Sequence, residues 1–436
     1  MTERKIRILF VFYTQDLVHK AHASELMKMH YIGPLNETGL ADHDIFWYGP
    51  WMTDDWITIN WRLFYRCMKY QPDVIMVYNG WQPDYHPQGL WFPRLFCFYL
   101  IRKLLGVKVS AFFTDQAYDA FKISDNLIRF CDIAFAHGHE DLFRTHSSFP
   151  KKYITTPAVY SPKLFHSDPL NKRYIDLAFV GQINGYCNER VNGIEALRRN
   201  GLIVSTPGGQ GEGQNFVSVE AYTDFHKRSK IIINWSRHMR GGWVEAKGRI
   251  FETTLSGAML LCEECAPVNR WFLPYVDYVP FSTTEELVEK ANYYLDHEEE
   301  RLKIAVQGHR TAMAKYTADV VWDQRLQYIQ GKSFYREAEA IEGLRRNASS
   351  NELQVARFFK KELHEYPQFN QLVIDEAVGI VEKANRSFVR KLNRRIQRTR
   401  RLVGSLEGLH WRILRKLLPS FITRKNVKAV LRSFYS

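Results

Sequence analysis

Lys247-Gly248-Arg249-Ile250-Phe251-Glu252-Thr253-Thr254-Leu255-Ser256-Gly257, running into Ala258-Met259-Leu260-Leu261, is the stretch that decides the fold. Two cations and a carboxylate open a short helix, a glycine closes it, and an apolar strand follows. A helix start flanked by Lys and Arg suits a diphosphate, because free N–H groups and fixed cations act on the same charge. A Glu one turn further along can accept hydrogen bonds from a ribose diol. Together they predict a nucleotide-diphosphate site near the carboxyl edge of a parallel sheet.

Apolar runs recur on both sides of this stretch. Residues 176–181, 202–205, 231–234, 259–262 and 278–281 form one set. Residues 4–13, 73–78, 107–113 and 132–136 form an earlier one, with helical patterns between them, as at 61–70 and 93–105. Strands alternating with helices predict doubly wound parallel sheets. Strand ends then bring Asn79, Asp115 and His137 to a ligand edge. Two prolines, Pro157 and Pro162, mark a crossing segment between the sets. Ser282-Thr283-Thr284-Glu285 is a capping box that opens a late helix. Residues 322–329 suit a last helix. The expected organisation is a Rossmann-like domain over 1–158, a second Rossmann-like domain over 159–330, and a helical extension over 331–436.

The opening stretch resembles the donor-site signature of GT-B glycosyltransferases of the group 1 type, in particular the spore-maturation (CgeB-like) group. Arg249, Phe251, Glu252, Ser256, Gly257 and the strand 258–261 carry the likeness. Asp176-Leu177-Ala178-Phe179-Val180-Gly181 is similar to the first strand and glycine turn of that family's nucleotide-binding half. Ser229-Lys230-Ile231-Ile232-Ile233-Asn234 resembles the strand before the signature. The resemblance spans about residues 170–330. It implies two domains facing a cleft, an acceptor domain over 1–158 and a nucleotide-sugar domain over 159–330, with the helix at 322–329 crossing back to the first. It also implies transfer of a sugar from a nucleotide-diphosphate donor to an acceptor hydroxyl, without a metal or other cofactor. Many retaining members carry two Glu residues seven positions apart. Glu252 matches the second, Val244 stands at the first, and Glu245 lies one residue off register.

Several side chains are candidates for the chemistry. A diphosphate gains negative charge as it leaves, and Arg249 and Lys247 are placed to stabilise it. Glu252 reads as a ribose ligand or as a carboxylate favoured by the helix dipole. Thr253 and Thr254 offer hydroxyl or backbone donors in the same turn, and Gly181 lets its loop approach the donor. Gln182, Asn184 and Arg190 follow that glycine, and Asn234 ends the neighbouring strand. Asp115 reads either as an acid–base group for the acceptor or as a helix N-cap. His137 and His139 beside Glu140 resemble a metal site only superficially. Cys262 and Cys265 lack the second pair that a zinc ribbon needs. The glycine-rich loop 207–213 lacks the Gly-Lys-Ser ending of a P-loop and reads as a surface or cleft loop.

Composition adds a compartment and a tail. The six cysteines among 436 residues are scattered, as in a reducing compartment. The apolar run at 8–13 is too short for a secretory leader, and Arg94, Arg102, Lys103 and Lys108 interrupt the apolar window at 92–113. The expectation is a cytoplasmic protein, free or held on the inner face of the membrane. The net charge of +13 belongs to the end of the chain: residues 386–436 hold fifteen cations and one acid, Glu407. Apolar residues recur there at helical spacing, with Arg394, Arg395, Arg398 and Trp411 among the positions suited to an anionic surface. A membrane carrying a lipid-linked or glycan acceptor is the partner this suggests. A second copy of the chain, or nucleic acid, is the alternative. Deleting residues from Ser387 onward is expected to abolish binding to anionic liposomes and leave activity on a short soluble acceptor. Liposome flotation at two salt concentrations, beside retention of labelled DNA, separates the three partners.

Overall fold

The computed structural model describes residues 4–14, 27, 29–49, 56–78, 93–113, 120–136, 143, 145–181, 183, 188–207, 218–237, 244–340 and 342. Asn79, Asp115, His137, Gln182, Asn184, most of the glycine-rich loop and the basic tail with Arg394, Arg395, Arg398 and Trp411 lie outside the described residues.

Among the described residues, eleven strands form two sheets. The first contains β1 (Ile6–Tyr13), β2 (Ala41–Tyr48), β3 (Val74–Tyr78), β4 (Lys108–Phe113), β5 (Ile133–Ala136) and β6 (Tyr153–Thr155) in the order β2-β1-β3-β4-β5-β6. The second contains β7 (Ile175–Ala178), β8 (Val204–Ser205), β9 (Ser229–Asn234), β10 (Met259–Glu263) and β11 (Val279–Phe281) in the order β11-β10-β9-β7-β8. All pairings within both sheets are parallel. Each sheet reverses its strand order beside its first strand, between β1 and β3 and between β7 and β9. Open parallel sheets bind ligands at such switch points, outside the carboxyl ends of the strands.

A parallel sheet is covered on both faces, so its central strands are apolar at every position. β1 shows how. Leu9 and Val11 pack into a core shared with the helix Leu95–Leu105, while Ile8, Phe10 and Phe12 pack into a second core with Leu35 and Trp322. In the second sheet Ile231 and Ile233 face one core and Ile232 faces another. The helix Leu95–Leu105 is buried on nearly all sides, which explains its unusually apolar sequence. Its Arg102 is neutralised by Asp132 at 2.7 Å.

The structure adds two strands that the apolar runs do not announce. β2 begins Ala41-Asp42-His43-Asp44 and pairs with β1 over its whole length. β6 has three residues and closes the other edge. Edge strands are half exposed and need no continuous apolar run.

The helix Ala318–Gly331 crosses back to the first domain, although a boundary at residue 330 would group it with the second. Ala318, Val321, Trp322, Leu326 and Ile329 fill the core beneath β1 and β3. Trp322 donates its indole N–H to the Tyr31 carbonyl at 3.1 Å. Arg325, wholly buried, donates to the Thr156 hydroxyl and the Pro157 carbonyl and lies over the Phe112 ring. Tyr335 and Ala340 continue the packing on the same domain.

At the crossing the backbones meet. Tyr160 pairs with His30 on one side and with Thr317 on the other. No helix among the described residues is long and apolar enough to cross a membrane. Trp322→Ala removes a fully buried indole from the joint between the domains. It should lower unfolding free energy by about 3–5 kcal/mol, read as a shifted midpoint in urea denaturation.

Candidate functional site

A cavity of about 470 Å³ lies between the two domains. Phe12, Tyr13, Tyr31, Trp47 and Tyr78 supply its first wall, at and beside the carboxyl ends of β1, β2 and β3. Ala158 and Tyr160 of the crossing segment form its floor. Tyr222, Glu245, Lys247, Gly248, Arg249 and Glu252 supply the opposite wall. The charged side chains among the described lining residues therefore come from the second domain.

Arg249 begins the helix Arg249–Leu255, which is capped by no side chain. Its guanidinium is fixed from three directions. Nε donates to the Val180 carbonyl at 2.6 Å, Nη1 donates to Asn234 Oδ1 at 3.0 Å, and the group lies 4.7 Å over the Phe179 ring. Val180 follows β7 and Asn234 ends β9, so this cation spans the switch point of the second sheet. Gly181 makes the approach possible: a Cβ there would come within 2.3 Å of Arg249 Nη2. Asn234 is fully buried and also donates to Cys262 Sγ at 3.2 Å. Arg190, nearly buried, lies 5.6 Å over the other partner of Arg249, the Phe179 ring.

Lys247 precedes the helix and pairs with Glu245. Glu245 is 2% exposed, and its backbone N–H donates to the Ser236 carbonyl. Val244 bridges to Arg237 and packs into the core with Phe251. In this extended segment alternate residues point opposite ways. The acid one step off the family register is therefore the one that lines the cavity.

Glu252 also lines the cavity, but its carboxylate is only 4% exposed and already engaged. Tyr222 donates its hydroxyl to Oε2 at 2.5 Å. Burial raises the Glu252 carboxyl above its ordinary range; hydrogen bonds from Tyr222 and Tyr160 and the charge of Arg249 draw it partly back. Gly248 is where Tyr160 fits, since a Cβ there would overlap its hydroxyl. A ribose contact by Glu252 would have to displace or share these phenols. Thr253 and Thr254 are buried and absent from the cavity wall; the Thr254 hydroxyl donates back to Ile250 and Phe251 carbonyls of its own helix. Helical geometry turns the Thr254 hydroxyl onto the preceding turn.

Cys262 and Cys265 are buried, and burial pushes their thiols up to about 12 and about 11. Both are protonated at neutral pH and serve packing. Among the described residues no group of three or more His, Cys, Asp or Glu could hold a metal ion.

Sequence patterns gave no sign of His30, Tyr160, Tyr222 or His226. His30 lines the cavity from the first domain. His226 is wholly buried behind Glu252, with its Nε2 3.7 Å from Oε2, beyond hydrogen-bond reach. A pattern search cannot reach such groups, because each is defined by neighbours from distant segments.

Residues 171–330 match the family described as glycosyl transferase-like. Among solved structures, the chain is similar to Anabaena Alr3699/HepE in complex with UDP, at 11% identity and a TM-score of 0.51, over 74% of this chain and 100% of that one. It is similar to the same protein in complex with UDP and glucose at 10% identity and a TM-score of 0.50, over 74% of this chain and 99% of that one. A glycosyltransferase from Rickettsia africae ESF-5 is similar at 11% identity and a TM-score of 0.51, over 75% of this chain and 98% of that one. No curated protein matches. Likeness at this identity establishes the fold: two Rossmann-like parallel-sheet domains in the GT-B arrangement.

The buried histidine sets a pH dependence. Burial, reinforced by the charge of Arg249, holds His226 down to about 3, against an ordinary 6.5. Below pH 6.5 the unfolded chain takes up a proton that the folded one refuses. His226 therefore favours the fold fully above pH 6.5, and this is lost as pH falls toward 3, at up to about 1.4 kcal/mol per pH unit. Glu252, shifted upward, acts in the opposite sense, favouring the fold at low pH and losing that effect as pH rises through its folded value. His226→Phe should flatten the acid limb of a plot of unfolding free energy between pH 6.5 and 4, measured by urea titration at each pH.

Proposed function

We propose that this protein transfers a sugar from a nucleoside-diphosphate donor, with UDP as the nucleotide to test first, to a hydroxyl of an acceptor held by the first domain. The observation that carries this reading is Arg249, a cation fixed across the switch point of the second sheet and facing the cavity beside Lys247. Support comes from the glycosyl transferase-like match over the same domain and from the UDP that HepE holds in the same fold.

The chemistry follows from charge. As the bond from the anomeric carbon to the diphosphate breaks, the leaving oxygens gain negative charge. A guanidinium already oriented by Val180 and Asn234 stabilises that charge with little rearrangement. Lys247, paired with Glu245 on the cavity wall, is the second cation. With these two cations the donor is taken to bind without a metal. The facing aromatic wall of the first domain excludes water from the reacting centre and limits donor hydrolysis. Surface polysaccharide or glycolipid synthesis at the inner face of a membrane is the proposed setting, supported by the basic amphipathic tail, and the spore-maturation type is the proposed subgroup.

Arg249→Ala should weaken UDP binding by roughly 1.5–3 kcal/mol, as expected for a charge-assisted hydrogen bond, and change uridine binding much less. Arg249→Lys, which keeps the charge but loses the planar fork, should fall between them. Isothermal calorimetry on variants with an unchanged far-UV spectrum decides the matter. Failure of the native chain to bind UDP, or equal effects on UDP and uridine, would reject this donor site.

A further inference from the structure

The two walls of the cavity differ in kind. The first-domain wall is aromatic: the Phe12 ring lies 5.3 Å from Trp47 and 5.4 Å from Tyr78. No Lys, Arg, Asp or Glu of that domain is among the described residues lining the cavity. Besides the phenol and indole groups, this wall carries His30, whose ring meets Tyr160 edge-on at 4.8 Å and has no hydrogen-bond partner among the described residues. Burial lowers His30 to about 4, so at neutral pH its imidazole is uncharged and offers one donor and one acceptor. That pair suits a hydroxyl and gives no net attraction to phosphate.

The sequence carries the contrast further. The stretches that follow the ends of β1 to β5, at 15–26, 50–55, 79–92, 114–119 and 137–142, contain nine acids and one cation, Lys20. They also contain six aromatic residues, three of them tryptophans: Trp51, and Trp81 and Trp91, which flank Tyr85. In sequence these stretches carry a net negative formal charge. A phosphate-rich acceptor needs the opposite, since each phosphate contact is made by a cation or a strong donor.

We propose that the acceptor is an uncharged sugar, its C–H face laid on the aromatic wall at Trp47 and one of its hydroxyls bonded to His30. An aromatic face carries the negative part of a quadrupole, which attracts the weakly positive C–H groups of a pyranose ring. A polyanion gains nothing there, because no described residue of that wall carries a cation. The basic tail at 386–436 is then a separate device, whose charge acts on location and not on acceptor choice. This inference rests on the donor reading given above, because it assigns the acceptor to the half of the cavity that the donor leaves.

The test is saturation-transfer NMR on the full chain with cellobiose, maltose and lactose as probes, with and without saturating UDP, and with a short DNA duplex as competitor. Transfer to ring C–H protons of at least one disaccharide is expected, undiminished by the duplex. Trp47→Ala should weaken that sugar about tenfold or more, Trp47→Phe should retain it, and His30→Ala should weaken it several-fold. Calorimetry with UDP on each variant reports that fold and donor site are intact. His30→Ala is the independent variant should Trp47→Ala fail to fold, because the ring it removes makes no hydrogen bond among the described residues. The inference is overturned if no disaccharide receives transfer while UDP binds, if transfer survives both Trp47→Ala and His30→Ala with UDP binding intact, or if the duplex displaces the sugar. Loss of UDP binding in the native chain would instead strike the donor reading, and sugar transfer would still be read without UDP.

Discussion

One guanidinium ties the site together. Arg249 joins the end of β7, through Val180, to the end of β9, through Asn234, and rests on Phe179 between them. At this point the connections leave two adjacent strands toward opposite faces of the sheet, and the crevice between them suits a group that can bind both strand ends. A planar group with several fixed donors does so, where a lysine ammonium could not reach both in one plane. The neighbours are chosen accordingly: Gly181 leaves room for Nη2, and Asn234 turns its carbonyl oxygen to the cation and its amide to Cys262. The charge that faces the cavity is therefore set in place by the fold.

Around this centre the two domains divide the chemistry. The second domain brings both cations and both acids of the described cavity wall, and each acid has a neighbour that restrains it: Lys247 beside Glu245, Tyr222 beside Glu252. The first domain brings a sheet edge rich in aromatic rings. The division follows from topology. Both sheets open their switch points toward the same cavity, so each presents whatever its strand ends carry, and the strand ends differ in residue type.

Much of the fold is legible in the sequence, since the buried central strands must be apolar throughout. The runs at 73–78, 107–113 and 259–262 fall on β3, β4 and β10 within a residue or two. β2 and β6 are not legible because an edge strand shares its burden of burial with solvent. Arg249 and Lys247 stand out in the sequence as cations beside an apolar strand, and the structure sets both on the cavity wall. Glu252 stands out equally, yet its surroundings come from Tyr222, 30 positions away, and from Tyr160 in the crossing segment. No local pattern encodes those phenols. His30 is invisible for the same reason: its significance lies in the opening of the cavity and the absence of a partner, which only packing creates.

Tyr160 gives the joint its mechanical character. Its backbone pairs with both His30 and Thr317, and its ring lies against Gly248 at the foot of the charged wall. The pivot of any domain rotation thus coincides with the floor of the cavity. In a lever, displacement grows with distance from the fulcrum. Points near Tyr160, including the cations at 247 and 249, keep their spacing, while the distant lips of the two sheets swing through the largest arc. The molecule is built to be stiff where charge must be met at fixed range and compliant where a bulky molecule has to enter and leave.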